Sequence, residues 1–335
     1  MSSDKVLLDY GSGGRASQRL ISDLFVKYFA NPELERLNDA ASLELKGKIS
    51  MSTDSFTVDP IFFPGGDIGS LAVHGTVNDV AMLGAIPKYM TCAYIIEEGL
   101  PMADLEKIVK SMGEACKHAG VNIVTGDTKV VPKGMVDKIF INTTGVGEII
   151  ADPAPSGDRA TVGDAVLVSG TMGDHGLTIL GTREGLSLES NVKSDSAALN
   201  HLLVKLVQEI PDVHVLRDPT RGGLATTLNE ITVSSNVCCE LDEAKIPVIP
   251  EVAGGCSFLG LDPLYLANEG KFLCILPQEY AEKALEIMHG DELGRDACQV
   301  GTITDANPGK VILVTPLGGR RLLNMLEGEQ LPRIC

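Results

Sequence analysis

Short β-branched runs alternate with longer helical stripes along most of this 335-residue chain. Met102–Ala119 repeats apolar residues at helical spacing and is followed by Gly120, a common helix end. The runs 88–96, 121–128 and 138–149 are typical of strands. This alternation predicts an α/β or α+β architecture.

The length and the 44% hydrophobic content allow a large core and favour two domains. A stretch rich in Pro, Gly and Asp interrupts the alternation at 151–164, and we place the domain boundary there. The predicted division is an N-terminal α/β domain (1–155), a C-terminal α+β domain (156–327) and a flexible tail (328–335). Further helices are expected at 17–29, 70–84, 177–180, 195–209 and 279–289.

Composition and charge exclude several classes of protein. The first ten residues lack the basic run and apolar core of a signal peptide, and no apolar stretch approaches the ~20 residues that span a bilayer. The eight cysteines form no CxxC pair, so we expect free thiols in a reducing cytoplasm. The net charge of −17 argues against nucleic acid and anionic membrane as partners and suits a site for divalent cations.

Carboxylates recur in short polar stretches typical of turns, and several together indicate an oxygen-rich site for Mg²⁺ and bound phosphates. Asp127 and Asp54 are expected at strand ends, where α/β proteins place ligand groups. Any one of these residues has a simpler explanation as a helix cap or turn former. The set comprises Asp54, Asp79, Asp127, Asp218 and Glu269.

The glycine-rich stretch 10–17 precedes a predicted helix, so its N–H groups are candidates for contact with a phosphate. The chain has neither a GxxxxGK[ST] loop nor a GxGxxG fingerprint after a strand. It also lacks the protein-kinase motifs. The six histidines show no metal-ligand spacing. An ATP site in this protein would therefore belong to a different fold.

Eight motifs carry a resemblance that covers essentially the whole chain. They are GSGG, STDSF, GTVNDVAMLGAIP, IVTGDTKVV, SGTMGDHG, RDPTRGG, ANEGK and the terminal PRIC. In this order they resemble the carbamoyl dehydratase family of hydrogenase maturation proteins. That family is similar to a wider ATP-using superfamily that contains aminoimidazole ribonucleotide synthetase, thiamine-monophosphate kinase and selenophosphate synthetase. Selenophosphate synthetases carry Cys or selenocysteine where this chain has Ser12, which argues against that relative.

The resemblance implies an aminoimidazole ribonucleotide synthetase-like fold of two domains, with the N-terminal sheet pairing across a homodimer. ATP and Mg²⁺ would lie in the cleft between the domains. The implied metal ligands are Asp54, Asp79, Asp127 and Asp218. The implied nucleotide-binding residues are Gly11, Ser12, Gly13, Gly14, Asn78, Thr128, Asp54, Asp79 and Asp127. The implied catalytic residues are Cys335, Lys129 and Glu269.

The resemblance also implies the reaction. A partner carbamoyltransferase would transfer a carbamoyl group to the thiol of Cys335, and ATP would drive its dehydration to a thiocyanate. Lys129 would offset charge on the transferred phosphoryl group, and Glu269 would accept a carbamoyl proton. The nitrile would then pass to the iron centre of a further maturation complex.

Other interpretations stay open from the residues alone. A small-molecule kinase or synthetase would use the same ATP cleft but survive loss of the tail. A non-catalytic thiol carrier or adaptor would keep the tail but not need the carboxylates. A terminal cysteine on its own is usually a stray exposed thiol.

Overall fold

The structure, a computed structural model, describes residues 4–12, 14–38, 40–185 and 192–327. Its strands form two main sheets, one on each side of the segment 150–163, which contains no helix or strand. The sequence placed the domain boundary in this segment. In the described part of the chain no helix has both the length and the apolar character needed to cross a membrane.

The N-terminal half contains helices on one face of a four-stranded sheet. Its elements are α1 (Arg15–Leu20), a π-helical segment (Ile21–Phe25), α2 (Val26–Phe29), β1 (Ile49–Phe56), β2 (Phe62–Phe63), β3 (Gly66–Asp67), α3 (Ile68–Met82), β4 (Ala85–Glu97), α4 (Met102–Ala119), β5 (Asn122–Val131) and β6 (Ile139–Ile149). The strand order is β1-β6-β4-β5, with β4 and β5 parallel and the other neighbours antiparallel.

The two faces of this sheet differ. Alternate residues of β1, including Ser50 and Phe56, are buried against α3, and we call this side the inner face. The outer face carries the exposed apolar side chains of Ile49 and Met51. Helix α3 begins with a capping box, in which Asp67 accepts from the N–H of Ser70 at 3.0 Å and the Ser70 hydroxyl accepts from the N–H of Asp67 at 3.1 Å.

The C-terminal half is built around a seven-stranded sheet in the order β13-β12-β9-β11-β7-β10-β8. Its elements are β7 (Asp164–Val168), α5 (Asp174–Arg183), α6 (Asn200–Glu209), β8 (Val215–Arg217), α7 (Gly223–Ser234), β9 (Cys238–Asp242), α8 (Pro250–Leu259), β10 (Leu273–Pro277), α9 (Ala281–His289), β11 (Cys298–Thr304), β12 (Lys310–Val314) and β13 (Arg320–Leu322). Every residue of β7 is buried because α7 covers one face of the sheet while α6 and α9 cover the other.

Most predicted elements are present, with one informative difference. The helix predicted at 195–209 begins only at Asn200. The preceding residues are extended because their backbone groups bond to other elements: the carbonyl of Ala197 and the N–H of Leu199 both bind the side chain of Asn78. Helices α7 and α8 were not predicted, since each is rich in Gly, Thr or Ser and lacks a clear apolar stripe.

Candidate active site

A cavity of about 790 Å³ lies between the two domains. Strand β1 and helix α3 form one wall, and the loop after β8 and the segment before β10 form the other. Gly75 of α3 lets these walls approach, since a Cβ there would lie 3.0 Å from the ring of Phe56 and 3.9 Å from Oε2 of Glu269. A glycine inside a helix weakens it, but here it makes room for a candidate catalytic side chain.

The N-terminal wall contributes two interacting carboxylates. Asp54, on the inner face of β1, and Asp79, on α3, both line the cavity and are near enough to share a hydrogen bond. The hydroxyl of Ser52 donates to Oδ2 of Asp79 at 2.6 Å. Burial, together with the neighbouring Asp79, raises the pKa of Asp54 from 3.8 to about 6, although Arg221 opposes the rise.

The C-terminal wall contributes two more carboxylates, Asp218 and Glu269. Burial, followed by the charge of Asp79, raises the pKa of Asp218 from 3.8 to about 7. Glu269 is 4% exposed, and burial raises its pKa well above 4.5, with further contributions from the surrounding aspartates. Carboxylates that repel one another in this way favour the entry of a cation.

We expect Asp218→Asn to stabilise the metal-free protein at alkaline pH. The pKa of Asp218 is higher when folded than the 3.8 of an exposed aspartate, so its favourable contribution is complete below about pH 4 and is lost as the pH rises to about 7. Asparagine stays neutral throughout. In buffer without Mg²⁺ at pH 8, the variant should melt about 2 °C or more above the wild type, whereas at pH 4 the two should melt alike. Equal melting temperatures at pH 8 would contradict this pKa shift.

Asp127 does not join the other carboxylates within one chain. In the strand register, Asp54 shares a row with Thr143 and Cys92 on the inner face, whereas Asp127 is paired with Ala93 in the next row, on the outer face. The two aspartates are also three strands apart, about 14 Å at ~4.8 Å per strand. They therefore cannot ligate one ion within a protomer, and the expected convergence of four carboxylates in a single chain is not observed.

Asp127 instead lines a second cavity, of about 860 Å³, beside the N-terminal helices. The ammonium of Lys129 lies 2.8 Å from both carboxylate oxygens of Asp127 and holds its pKa below the usual value. Gly11 also lines this cavity and rests on β5, because a Cβ there would lie 2.4 Å from the backbone nitrogen of Val130. The half-buried Thr128 completes this side.

The glycine loop remains close to these residues. Ser12 is exposed, and its hydroxyl donates to the carbonyl of Asp9 at 2.8 Å. Gly14 is exposed immediately before α1. Gly13 lies outside the described residues. Among the described residues of the loop, Gly11 lines the Asp127 cavity, and none lines the cavity that holds Glu269.

Asn78, a predicted nucleotide-binding residue, bonds to the segment that precedes α6 and to Glu269. Its side chain is 1% exposed, and its amide nitrogen donates to the carbonyls of Ala197 at 2.9 Å and Glu269 at 3.4 Å. Its amide oxygen accepts from the N–H of Leu199 at 2.8 Å. Its amide is therefore buried and engaged within the protein, and its contact with the nucleotide stays a prediction.

The carboxylates of the first cavity suit Mg²⁺. Within the described part of the chain no three His, Cys, Asp or Glu side chains are grouped as a metal site. Mg²⁺ does not need such a group, since it is commonly held by one or two carboxylates together with water and substrate phosphates. The adjacent Asp54 and Asp79, with raised proton affinity at Asp54, match that requirement.

Cys335 lies outside the described residues, but the structure places the base of the tail. Met325 and Leu326 line the same cavity as Glu269. Asn229 donates to the carbonyl of Leu323 at 2.8 Å, and the hydroxyl of Tyr265 donates to the carbonyl of Asn324 at 2.7 Å. These bonds fix where the tail begins.

Two residues that organise the site were missed by sequence reasoning. Asn268 is fully buried and joins three loops, accepting from the N–H of Gly173 at 2.7 Å and donating to the carbonyl of Pro219 at 3.0 Å. Asp195 accepts from the N–H of Glu269 at 3.1 Å. Asn268 lies within the motif ANEGK and was open to notice, whereas nothing near Asp195 in the sequence indicates a contact with Glu269.

Comparison with known proteins identifies the family and the fold of this chain. Residues 37–149 match the family model described as AIR synthase related protein, N-terminal domain, and residues 161–314 match AIR synthase related protein, C-terminal domain. The chain is 52% identical over 327 residues to carbamoyl dehydratase HypE of Azotobacter vinelandii, covering 97% of this chain and 96% of that protein. The chain belongs to the HypE family of carbamoyl dehydratases. HypE of Escherichia coli K12 is 46% identical over 338 residues, covering 99% of this chain and all of that protein.

Solved HypE structures share the whole fold. A crystal structure of HypE in complex with ATP superposes with a TM-score of 0.96 at 64% identity, covering 98% of this chain and 99% of that one. HypE in a HypE–HypF complex gives a TM-score of 0.81 at 50% identity, covering 92% and 99%. The predicted family and two-domain fold are therefore confirmed.

Proposed function

We propose that this member of the HypE family, an ATP-dependent carbamoyl dehydratase of hydrogenase maturation, carries the carbamoyl group on its own Cys335. The observation that supports this most directly is the position of Met325 and Leu326 on the wall of the cavity that contains Glu269. The eight residues beyond Glu327 reach about 25 Å when extended at ~3.3 Å per residue. The thiol can therefore enter this cavity or leave it for a partner.

The reaction converts –S–CO–NH₂ into –S–C≡N. The carbonyl oxygen of the thiocarbamate attacks the γ-phosphorus of ATP, the bond to ADP breaks, and the oxygen becomes part of a phosphate leaving group. Loss of the N–H protons and cleavage of the C–O bond then release phosphate and form the nitrile. The protein loses the atoms of one water, and ATP becomes ADP and phosphate.

Glu269 is our candidate for accepting a carbamoyl proton. Its burial and the surrounding carboxylates raise its pKa, so its carboxylate is a stronger base than an exposed glutamate. The nitrogen of a carbamoyl group is a very weak acid, and phosphorylation of the neighbouring oxygen makes its protons easier to remove. Mg²⁺ held by Asp54 and Asp79, with Asp218 close by, would supply charge neutralisation for the phosphates.

We also propose a homodimer formed through the outer face of the N-terminal sheet. Ile49 and Met51 are 51% and 66% exposed there, and Ile95 is 42% exposed. Pairing would remove these apolar groups from water. It would also place Asp127 and Lys129, which lie on the outer face, at a subunit interface. We therefore propose that Asp127 of the partner subunit helps to complete each nucleotide site.

The remaining partners follow from the chemistry. HypE of the HypE–HypF complex assembles with HypF, and we propose that a carbamoyltransferase of this kind loads Cys335. An iron-carrying maturation complex would then accept the nitrile as a cyanide ligand. Both steps fit a cytoplasmic protein.

Intact-mass analysis tests the proposal. Incubation with the carbamoyl donor system but without ATP should add one carbamoyl group to the protein. Addition of ATP and Mg²⁺ should then remove the mass of one water, with one ADP formed per chain. A carbamoylated protein that keeps its mass while ATP is consumed would contradict the proposed reaction.

A further inference from the structure

Residues 192–199, which we call the strap, run between the two domains without regular secondary structure. The N–H of Ser194 donates to the carbonyl of Pro64 at 2.8 Å, and its hydroxyl lies 2.8 Å from Nδ1 of His175. The hydroxyl of Ser196 lies 2.9 Å from Nδ1 of His74. The strap is thus bonded to both halves of the molecule.

The strap also holds the main chain of Glu269. The N–H of Glu269 donates to Oδ1 of Asp195 at 3.1 Å, and the carbonyl of Glu269 accepts from the N–H of Ala197 at 3.4 Å. Gly270 allows this approach, because a Cβ there would clash with the carbonyl oxygen of Asp195. The N–H and the carbonyl of Glu269, the candidate base, are therefore both hydrogen-bonded to the strap.

Helix α3 connects the strap to Asp79, one of the carboxylates that line the cavity. His74 and Asn78 of α3 bind the strap, and the next residue, Asp79, lines the cavity. Because His74, Asn78 and Asp79 lie on one continuous helix, the strap links the position of Glu269 in the C-terminal domain to that of Asp79 in the N-terminal domain.

Asp195 supplies the side-chain acceptor in this arrangement. Burial raises the pKa of its carboxyl group, and the nearby Lys271 opposes that rise. Its other oxygen, Oδ2, is buried and has no hydrogen-bond partner among the described residues. Burying an oxygen without a hydrogen-bond partner costs free energy. Asp195 therefore holds Glu269 in position although its own Oδ2 loses contact with water.

We infer that Asp195 is a positioning residue for the dehydration. It acts by holding the main chain of Glu269 opposite Asp54 and Asp79, the carboxylates proposed to hold Mg²⁺. This inference rests on the proposed role of Glu269 as the base. It predicts an effect on the rate of dehydration without an effect on nucleotide affinity.

Two substitutions test the inference in the full-length, carbamoylated protein. Asp195→Ala removes the acceptor and should slow nitrile formation about 10- to 100-fold, since small displacements of a catalytic group have effects of this size. Asp195→Asn keeps an acceptor and replaces the buried carboxyl group with a neutral amide, so it should fold well and react within about threefold of the wild-type rate. Nitrile is measured by intact mass in a single turnover at saturating ATP, and ATP affinity by titration calorimetry; both variants should bind ATP like the wild type.

Asp164→Ala is the matched control. Asp164 is also a buried aspartate of the C-terminal domain, at 3% exposure, and accepts from the N–H of Thr161 at 2.8 Å and from His214 at 2.7 Å. Its loss should lower the melting temperature but leave the dehydration rate unchanged, which separates general destabilisation from misplacement of Glu269.

The outcomes distinguish the inference from the proposed function. A wild-type rate in Asp195→Ala beside an inactive Glu269→Gln overturns the inference alone. An Asp195→Asn protein as slow as Asp195→Ala, or a parallel loss of ATP affinity, also overturns it. A wild-type protein that forms no nitrile overturns the proposed function and the inference with it.

Discussion

Cys335→Ala should bind ATP as tightly as the wild type and form no protein-bound nitrile. The cavity carboxylates Asp54, Asp79 and Asp218 are untouched by the change, so nucleotide affinity should stay the same. The carbamoyl group, however, has lost the sulfur that carries it. Titration calorimetry measures the ATP affinity, and intact-mass analysis with the carbamoyl donor and ATP detects the nitrile.

The other cysteines provide the control. Seven are described and free, six of them buried and Cys298 half-buried, so replacing any one should leave nitrile formation largely intact. Adding a few residues after Cys335 keeps the thiol but places extra atoms in the cavity, and dehydration should then fall sharply. A nitrile on the Cys335→Ala protein would show that the tail is not the carrier.

Mixing two inactive variants should restore activity if the nucleotide site is shared between subunits. Asp54→Asn and Asp127→Asn should each abolish dehydration. After subunit exchange, random mixing makes half of the dimers mixed, and one of the two sites in each mixed dimer carries both wild-type aspartates. About a quarter of the wild-type single-turnover yield should therefore return, because the inner-face carboxylates of one chain would act with Asp127 of the partner subunit.

Mixing Asp54→Asn with Asp79→Asn is the matched control. These two residues lie in the same cavity of one chain, so every site in a mixed dimer keeps one defect and no activity should return. Native mass spectrometry confirms that exchange has occurred. Absence of recovery in the first mixture, with mixed dimers present, would contradict a shared site.

Several elements were predictable from the sequence because their signals are local. The apolar stripe of α4 and the terminal Gly120, whose φ of 72° is left-handed, define that helix within the chain itself. The strands 138–149 and 88–96 were found for the same reason, because alternation of side chains is a property of neighbouring residues. The eight motifs likewise identified the family without a structure.

The site residues were only partly predictable from the sequence. The sequence indicated that Asp54, Asp79, Asp127, Asp218 and Glu269 belong together, and in the structure all of them except Asp127 line one cavity. It could not show that Asp127 lies on the opposite face of the sheet from Asp54. That relation depends on strand pairing through β6 and β4, between residues far apart in the chain.

Taken by itself, the sequence determined the family, the order of most strands and helices, and the residue types that perform the chemistry. Only the tertiary structure decided which of these residues meet. Asn78 of α3 bonds to the strap through its buried amide, which contacts Ala197 and Leu199, and Asp195 reaches Glu269 although 74 residues separate them. Hydrogen bonds over such separations are formed by packing between elements, and local patterns of polarity carry no record of them.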